Sequence, residues 1–325
     1  MTYAIRIHQT GGPEVMRWEK VEVGQPGPGE VRLRHTAVGL NFIDVYHRTG
    51  LYPVQTPATP GLEAAGVVEE VGAGVTELKA GDRVAYASPP MGAYAEARLM
   101  PADRLVKLPD GISDKQAAAM MLRGMTARYL LRQTYAVKRG DRILIHAAAG
   151  GVGLIVCQWA KHLGATVIGT VGSDEKAALA KAHGCDHPIV YTREDFVARV
   201  NEITNGEKVA VVYDSVGKDT FMKSLDCLKP LGMMVSFGQS SGPVAAFDPG
   251  VLSAKGSLFL TRPTLMKYTE RRQDLVANAS DLFDVVRQGH VKIEIGQTYP
   301  LKDVAIAHRD LEARKTTGST VLTLD

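Results

Sequence analysis

The stretch that most limits what this chain can fold into is Ile143-Leu144-Ile145-His146-Ala147-Ala148-Ala149-Gly150-Gly151-Val152-Gly153, followed by Leu154-Ile155-Val156-Cys157-Gln158-Trp159-Ala160-Lys161. An apolar run, a glycine cluster and an amphipathic helical pattern follow one another without a spacer, which predicts strand, tight turn and helix. Gly150 and Gly151 let backbone amides approach an anion, and Gly153 lets the new helix pack closely on the strand. The first turn of that helix, Val152 included, offers unpaired N–H groups and a partial positive charge, as a dinucleotide diphosphate requires. Ala148 stands where the G-x-G-x-x-G pattern has its first glycine, so the motif alone leaves open a glycine-rich turn that binds nothing.

The surrounding pattern decides in favour of a dinucleotide fold. Strand-like runs recur at Ile143–Ala147, Thr166–Val171, Pro188–Tyr191, Val209–Asp214, Met233–Gly238 and Ser257–Thr261. Helical patterns separate the first five, with Gly164 and Gly184 placed as C-terminal caps; residues 239–256 read as irregular. Six strands with helical crossovers predict an α/β, doubly wound parallel sheet. Before it, residues 1 to about 120 read as short strands between Gly/Pro turns, which predicts a small, strongly bent antiparallel barrel. Tyr3, Ile5 and Ile7 alternate with Ala4, Arg6 and His8, and Val31 and Leu33 with Arg32 and Arg34. Ser113 and Gln116 form a capping box that opens a helical run, and a second run covers Thr126 to Thr134 after Gly124. Beyond residue 265 a helix over Arg271–Gln288 ends at Gly289, and strands at Ile293–Ile295 and Thr320–Leu324 flank a helix near Val304–Arg314. Those last strands have no place in a completed six-strand sheet, so the C-terminus is expected to return to the first domain. The predicted division is 1–124, 125–264 and a returning 265–325.

At 325 residues, two domains are the natural expectation. The net charge of +3 is small and its Lys and Arg are scattered, which argues against a nucleic-acid surface. Cys157, Cys185 and Cys227 lie far apart without a CxxC pair, consistent with a reducing compartment and a cytoplasmic location. No apolar stretch reaches the roughly 20 residues that span a bilayer, and the N-terminus lacks a signal-peptide core.

In this fold a carboxylate at the end of the second strand holds the ribose 2′-hydroxyl of NAD. Here that strand ends Val171-Gly172 without an acid; Ser173 can donate a hydrogen bond, Lys176 can reach a 2′-phosphate, and Tyr191 can flank the same pocket. This favours NADPH. Asp174 and Glu175 argue the other way unless they serve the dipole of the next helix, and Lys176 can also be read as a solvated helix residue.

Pro60-Gly61-Leu62-Glu63-Ala64-Ala65-Gly66-Val67-Val68-Glu69-Glu70-Val71-Gly72 resembles the G-H-E-x-x-G segment of the medium-chain dehydrogenase/reductase superfamily, closest to its zinc-free quinone oxidoreductase (zeta-crystallin-like) branch. Val38-Gly39-Leu40-Asn41-Phe42-Ile43-Asp44-Val45-Tyr46, Gly50-Leu51-Tyr52-Pro53, Ala147–Gly153 and Tyr213-Asp214-Ser215-Val216-Gly217 are similar to the same branch. The resemblance implies a GroES-like domain, completed by the C-terminal segment, plus a Rossmann domain. The zinc-ligand cysteine and histidine of the alcohol dehydrogenases correspond here to Asn41 and Leu62, and Glu63 alone is expected to be structural. No metal is therefore expected, since a zinc site needs three protein ligands.

The resemblance further implies NADPH as cofactor and a quinone as substrate, because quinones accept a hydride without a Lewis acid. It places Asn41, Tyr46 and Tyr52 beside a cleft, Thr126 near the nicotinamide, and Ser215 at the cofactor. Asn41 also reads as a turn residue, and either tyrosine as packing. The ends of the fifth and sixth strands, Phe237-Gly238-Gln239-Ser240 and Phe259-Leu260-Thr261-Arg262, are expected to line the nicotinamide half, with Arg314 or Lys315 near a cofactor phosphate. Asp44 and His47 have the spacing of an acid/base pair, but structural hydrogen bonding is the better reading; the other histidines, His146 included, are expected to be satisfied core or surface groups. Gly256–Leu260 reads as an apolar edge strand that would need covering, and the resemblance implies pairing across a two-fold homodimer. Reduction of the activated C=C bond of enals or enones is the alternative activity, and a crystallin or RNA-binding role the alternative class.

Overall fold

The computed structural model describes residues 2–324. By contacts the chain forms two compact units, one up to Met125 with Thr269–Arg287 and Ile293 onward, the other Thr126–Tyr268 with Gln288–Lys292.

The first unit begins with β1 (Thr2–Ile7) paired antiparallel to β2 (Met16–Val21). Its main sheet uses β3 (Glu30–Leu40), β4 (Glu63–Val71), β5 (Arg83–Ala87), β6 (Ala97–Pro101) and β7 (Val106–Lys107). The helix α1 (Phe42–Thr49) follows β3 directly, and α2 (Asp114–Tyr129) follows β7. Val31 and Leu33 are buried as their alternation predicts. In β1 the alternation fails, because Ala4 is buried while Tyr3 is exposed and stacks on Trp18 at 5.4 Å.

The expected capping box is present: the Gln116 amide donates to Ser113 Oγ at 3.2 Å, and the Ser113 amide to Gln116 Oε1 at 3.1 Å. The expected break at Gly124 is not. One helix runs through it and ends in a π-helical turn over Leu130–Thr134. Gly124 serves packing instead, since a Cβ there would come within 2.4 Å of Leu282.

The second unit contains β8 (Arg142–Ile145), α3 (Gly151–His162), β9 (Thr166–Val171), α4 (Asp174–Ala182), β10 (His187–Val190), α5 (Phe196–Ile203), β11 (Val209–Asp214), α6 (Phe221–Asp226), β12 (Leu228–Ser236), α7 (Gly250–Ala254), β13 (Phe259–Thr261) and α8 (Leu265–Tyr268). Its six strands pair in parallel in the order β10-β9-β8-β11-β12-β13, which places the topological switch point between β8 and β11. Gly164 and Gly184 adopt left-handed φ values of 87° and 89° after α3 and α4, as expected of caps.

Several elements differ from the sequence reading, β10 by one residue at each end. β8 stops at Ile145 because Ala147 already has a left-handed φ of 54°. β12 begins five residues before Met233 and ends at Ser236, with its irregularity at Leu231 (φ 60°). β13 starts at Phe259 because Ser257, at φ 54°, still belongs to the turn. The 239–256 connection contains α7, whose Gly250 amide donates to the Asp248 carboxylate at 2.8 Å.

The chain then returns. After α9 (Arg272–Arg287), β14 (Ile295–Pro300) pairs in parallel with β15 (Ser319–Thr323), and α10 (Val304–Glu312) lies between them in sequence. β15 joins residues 37–40 of β3 while β6 joins residues 30–34, so the first unit's sheet includes its C-terminal strands. The parallel β14–β15 pair departs from an all-antiparallel barrel. β14 also lies later than the expected Ile293–Ile295, because Ile293 is buried ahead of the strand and β14 is a partly exposed polar edge.

Candidate active site

In the second unit, the sequence-predicted cofactor residues follow the carboxyl ends of the parallel strands, except Phe259, which begins β13, and Thr126, which lies on α2. The turn after β8 is built for close approach: a Cβ on Gly153 would lie 2.3 Å from the Ala147 carbonyl oxygen and 2.7 Å from Ala148 Cα. The Gly150 amide donates to the Ala147 carbonyl at 2.9 Å, and α3 begins at Gly151 with Val152 and Gly153 in its first turn. Ala148 is fully buried, and its place is made by Gly169 on β9, where a Cβ would come 2.6 Å from Ala148 Cβ. Thus the missing glycine of the turn is compensated on the neighbouring strand.

After β9, Ser173 caps α4 by accepting the Lys176 amide at 3.3 Å. Tyr191 follows β10, its amide bonds Val171 at 3.1 Å, and its hydroxyl would lie 3.0 Å from a Cβ on Gly172. Ser173, the Lys176 backbone amide and Tyr191 thus lie around the end of β9. After β11, the buried Asp214 carboxylate accepts the Val216 and Gly217 amides at 2.7 and 3.1 Å and so shapes the Ser215 loop. The Phe237 amide donates to the Asp214 carbonyl at 2.8 Å, the Ser240 amide to the Ser215 carbonyl at 3.1 Å, and a Cβ on Gly238 would lie 2.7 Å from that same Ser215 oxygen. Arg262 donates to the Ser236 carbonyl at 2.8 Å, tying the end of β13 to that of β12. Phe259 is 56% exposed on the sheet edge, with Thr261 half-buried two residues on. Thr126 is buried on α2. His146 bonds Thr170 and Ser224, each at 2.8 Å, and is a satisfied core group.

In the first unit, Asn41 ends the β3 run and caps α1. It is 4% exposed, and its side-chain Nδ2 donates to Glu63 Oε2 at 2.7 Å. The Glu63 carboxylate also accepts the Leu122 amide at 2.7 Å and faces Arg123 at 3.4 Å; burial pushes its pKa up. Tyr46 and Tyr52 place their rings 5.1 Å apart, joined by a Tyr52 amide bond to the Tyr46 carbonyl at 3.0 Å. Asp44 is structural, as expected. Its Oδ2 accepts the Asn41 amide at 2.8 Å and the Tyr94 hydroxyl at 2.9 Å, and burial raises its pKa to about 7. His47 is turned to the edge of Tyr52, at 5.8 Å between centroids. Arg314 and Lys315 follow α10, and the Lys315 ammonium lies 3.5 Å from Asp310.

These residues do not fit a metal ion. One Asn41 Nδ2 hydrogen goes to Glu63 and the amide nitrogen has no lone pair to offer a metal, Leu62 is an aliphatic chain in the core, and the three cysteines are buried in the other unit. Among the described residues no three His, Cys, Asp or Glu side chains form a metal-ligand cluster.

Sequence reasoning missed Asp214 as the organiser of the Ser215 loop and Arg193, which pairs with Asp174. Asp214 lay inside a recognised motif, whereas nothing in the sequence marked Arg193 as Asp174's partner.

A six-stranded nucleotide-type sheet and a GroES-like sheet, in one chain that closes the latter with its own C-terminus, define a medium-chain dehydrogenase/reductase. Two family models match accordingly, the alcohol dehydrogenase GroES-like domain over residues 27–110 and zinc-binding dehydrogenase over residues 151–283. The chain is 54% identical over 323 residues to a quinone oxidoreductase of Pseudomonas aeruginosa, covering 99% of both. It is 50% identical to a 2-haloacrylate reductase of a Burkholderia species, again covering 99% of both. The crystal structure of Escherichia coli quinone oxidoreductase complexed with NADPH matches with a TM-score of 0.98 and 49% identity, covering 100% of each chain. The chain belongs to the zinc-free quinone oxidoreductase branch of the superfamily.

Proposed function

We propose that this protein is an NADPH-dependent quinone oxidoreductase that works without a metal. The observation that carries the reading is Asn41, a buried amide aimed by Glu63, at the position where a metal enzyme of the superfamily has a zinc ligand. NADPH, when bound, supplies the hydride. Gly150, Gly151, Val152 and Gly153 would hold its diphosphate, Ser173, Lys176 and Tyr191 its 2′-phosphate end, and the Ser215 and Phe237–Ser240 loops with the β13 segment Phe259–Arg262 the remainder, with Thr126 near the nicotinamide. The Asn41 amide serves as a hydrogen-bond donor to the oxygen on which charge develops, an effect worth on the order of 10²–10³ in turnover. The Tyr46 and Tyr52 rings offer faces for a planar quinone and hydroxyls for its oxygens.

The test is NADPH oxidation against quinones, enones and alcohols, with and without chelator. Quinone turnover indifferent to chelator is expected. Turnover that requires added zinc would overturn the reading. The Burkholderia relative's name favours a second reading, reduction of an activated C=C bond, which the enone arm of the same panel decides.

The exposed edge of β13, with Phe259 at 56% and Leu260 at 39% accessible, supports a homodimer joined across that edge. A cytoplasmic site of action accords with three free, buried cysteines. Among the described residues no helix is long and apolar enough to cross a membrane.

A further inference from the structure

Two acids, Asp174 and Glu175, open α4 just beyond the strand end where an NAD-binding fold carries its ribose-binding carboxylate. Left unopposed, such charges would repel a 2′-phosphate and attract a ribose hydroxyl. The Ser173 hydroxyl beside Glu175 draws its carboxyl below the usual range. Asp174 is held by both arms of one guanidinium: Arg193 Nη1 lies 2.7 Å from Oδ2, and Nη2 lies 2.5 Å from Oδ1. Arg193 comes from the turn after β10. That turn is fixed by its amide on the Val190 carbonyl at 3.1 Å and by the Val190 amide on the Glu194 carboxylate at 2.8 Å. The same turn brings Tyr191 against Gly172, so Arg193 reaches Asp174 from a rigid neighbour of the strand end.

We infer that Arg193 is a specificity residue of the cofactor site. It masks Asp174, an acid three residues past the end of β9, and so leaves this strand end acceptable to a 2′-phosphate. A bidentate fork occupies both carboxylate oxygens and cancels the charge. The pair is solvent-exposed, with side chains 57% and 69% accessible, so its contribution to folding is small. Its effect falls on binding. One uncompensated charge near a phosphate in solvated surroundings is worth up to about tenfold in affinity at low salt. This inference rests on the NADPH reading above.

The experiment is a fluorescence titration of NADPH and NADH, without substrate and at low ionic strength, on the full chain, Arg193→Ala, Asp174→Asn and the double variant. Arg193→Ala is expected to weaken NADPH about three- to tenfold and to strengthen NADH. Adding Asp174→Asn to Arg193→Ala is expected to restore the original preference within about twofold. Arg193→Ala with both affinities unchanged would overturn the masking. So would a double variant as weak for NADPH as Arg193→Ala alone, because Arg193 would then serve the phosphate directly. Should the unaltered protein bind NADH as tightly as NADPH, the cofactor reading fails. The masking is still decided by whether Arg193→Ala gains NADH affinity and Asp174→Asn abolishes that gain.

Discussion

The Asn41 side chain donates its amide hydrogen to the Glu63 carboxylate across 2.7 Å, with both groups buried. Glu63 cannot swing away, because the Leu122 amide holds its other oxygen at 2.7 Å and Arg123 lies 3.4 Å from Oε2. Gly39 makes this possible: a Cβ there would fall 2.2 Å from Glu63 Oε2 and 2.3 Å from the Ala118 carbonyl. A second buried carboxylate, Asp44, fixes the Asn41 backbone from the other side. The amide is therefore set in one orientation before any ligand arrives, the preorganisation that the proposed oxyanion-donor role requires.

Asn41→Ala keeps the helix cap's backbone bond to Asp44 but removes the donor. Quinone turnover is expected to fall by about 10²-fold, with NADPH affinity within a few-fold of the original. Unfolding free energy is expected to fall by about 1.5–3 kcal/mol, since Glu63 loses a charge-assisted bond. Steady-state kinetics and denaturant melts check both; undiminished turnover would remove Asn41 from the chemistry.

Gly169→Ala places a methyl 2.6 Å from Ala148 Cβ and 2.8 Å from Cys185 Sγ. An overpacking cost of about 1–3 kcal/mol is expected, together with weaker cofactor binding through the displaced turn. Ala148→Gly removes one of the two clashes, so the cost of Gly169→Ala is expected to shrink in that background. A double-mutant cycle by thermal melting measures the coupling; strict additivity would separate the two positions.

The buried polar cluster of the first unit sets opposing pH dependences. His308 accepts Arg48 Nη1 at Nδ1, 3.0 Å away, and its Nε2 lies 3.0 Å from the Tyr94 hydroxyl. Burial, aided by Arg48, lowers its pKa to about 3. The unfolded chain thus takes a proton near pH 6.5 that the folded chain refuses, and stability from this group is lost as pH falls from about 6.5 toward 3. Asp44, raised to about 7 by burial, acts oppositely: its contribution is present at low pH and is lost as pH rises from about 4 through 7. His308→Gln is expected to flatten the acid slope of unfolding free energy and Asp44→Asn to steepen it. Denaturant melts at a series of pH values check the two signs.

Phe259→Lys at the sheet edge is expected to convert a dimer to a monomer with little change in monomer stability, because the side chain is 56% exposed in the single chain. Analytical ultracentrifugation of both forms is the check, and identical masses would exclude β13 as the interface.

Much of the second unit could be read in the residues themselves. Thr166–Val171 and Val209–Asp214 form strands with the expected boundaries, because β-branched runs bounded by turns report burial on both faces. Where boundaries moved, as at Ala147, Leu231 and Ser257, a non-glycine residue took a left-handed backbone that its residue type does not advertise. Gly124 misled because a glycine needed for helix packing looks the same in sequence as one that ends a helix.

The sequence by itself determined the dinucleotide turn, the six-strand alternation, the return of the C-terminus and the residue types at the would-be zinc positions. All of these are local patterns or counts along the chain. Tertiary structure alone decided that Gly169 makes room for Ala148, that Glu63 aims Asn41, and that Arg193 neutralises Asp174. Each joins residues about 20 apart in sequence, and their separation carries no periodic signal. The opening turn marks where a dinucleotide is expected to bind, but whether an acid beside it repels a phosphate depends on which cation the fold delivers to that acid.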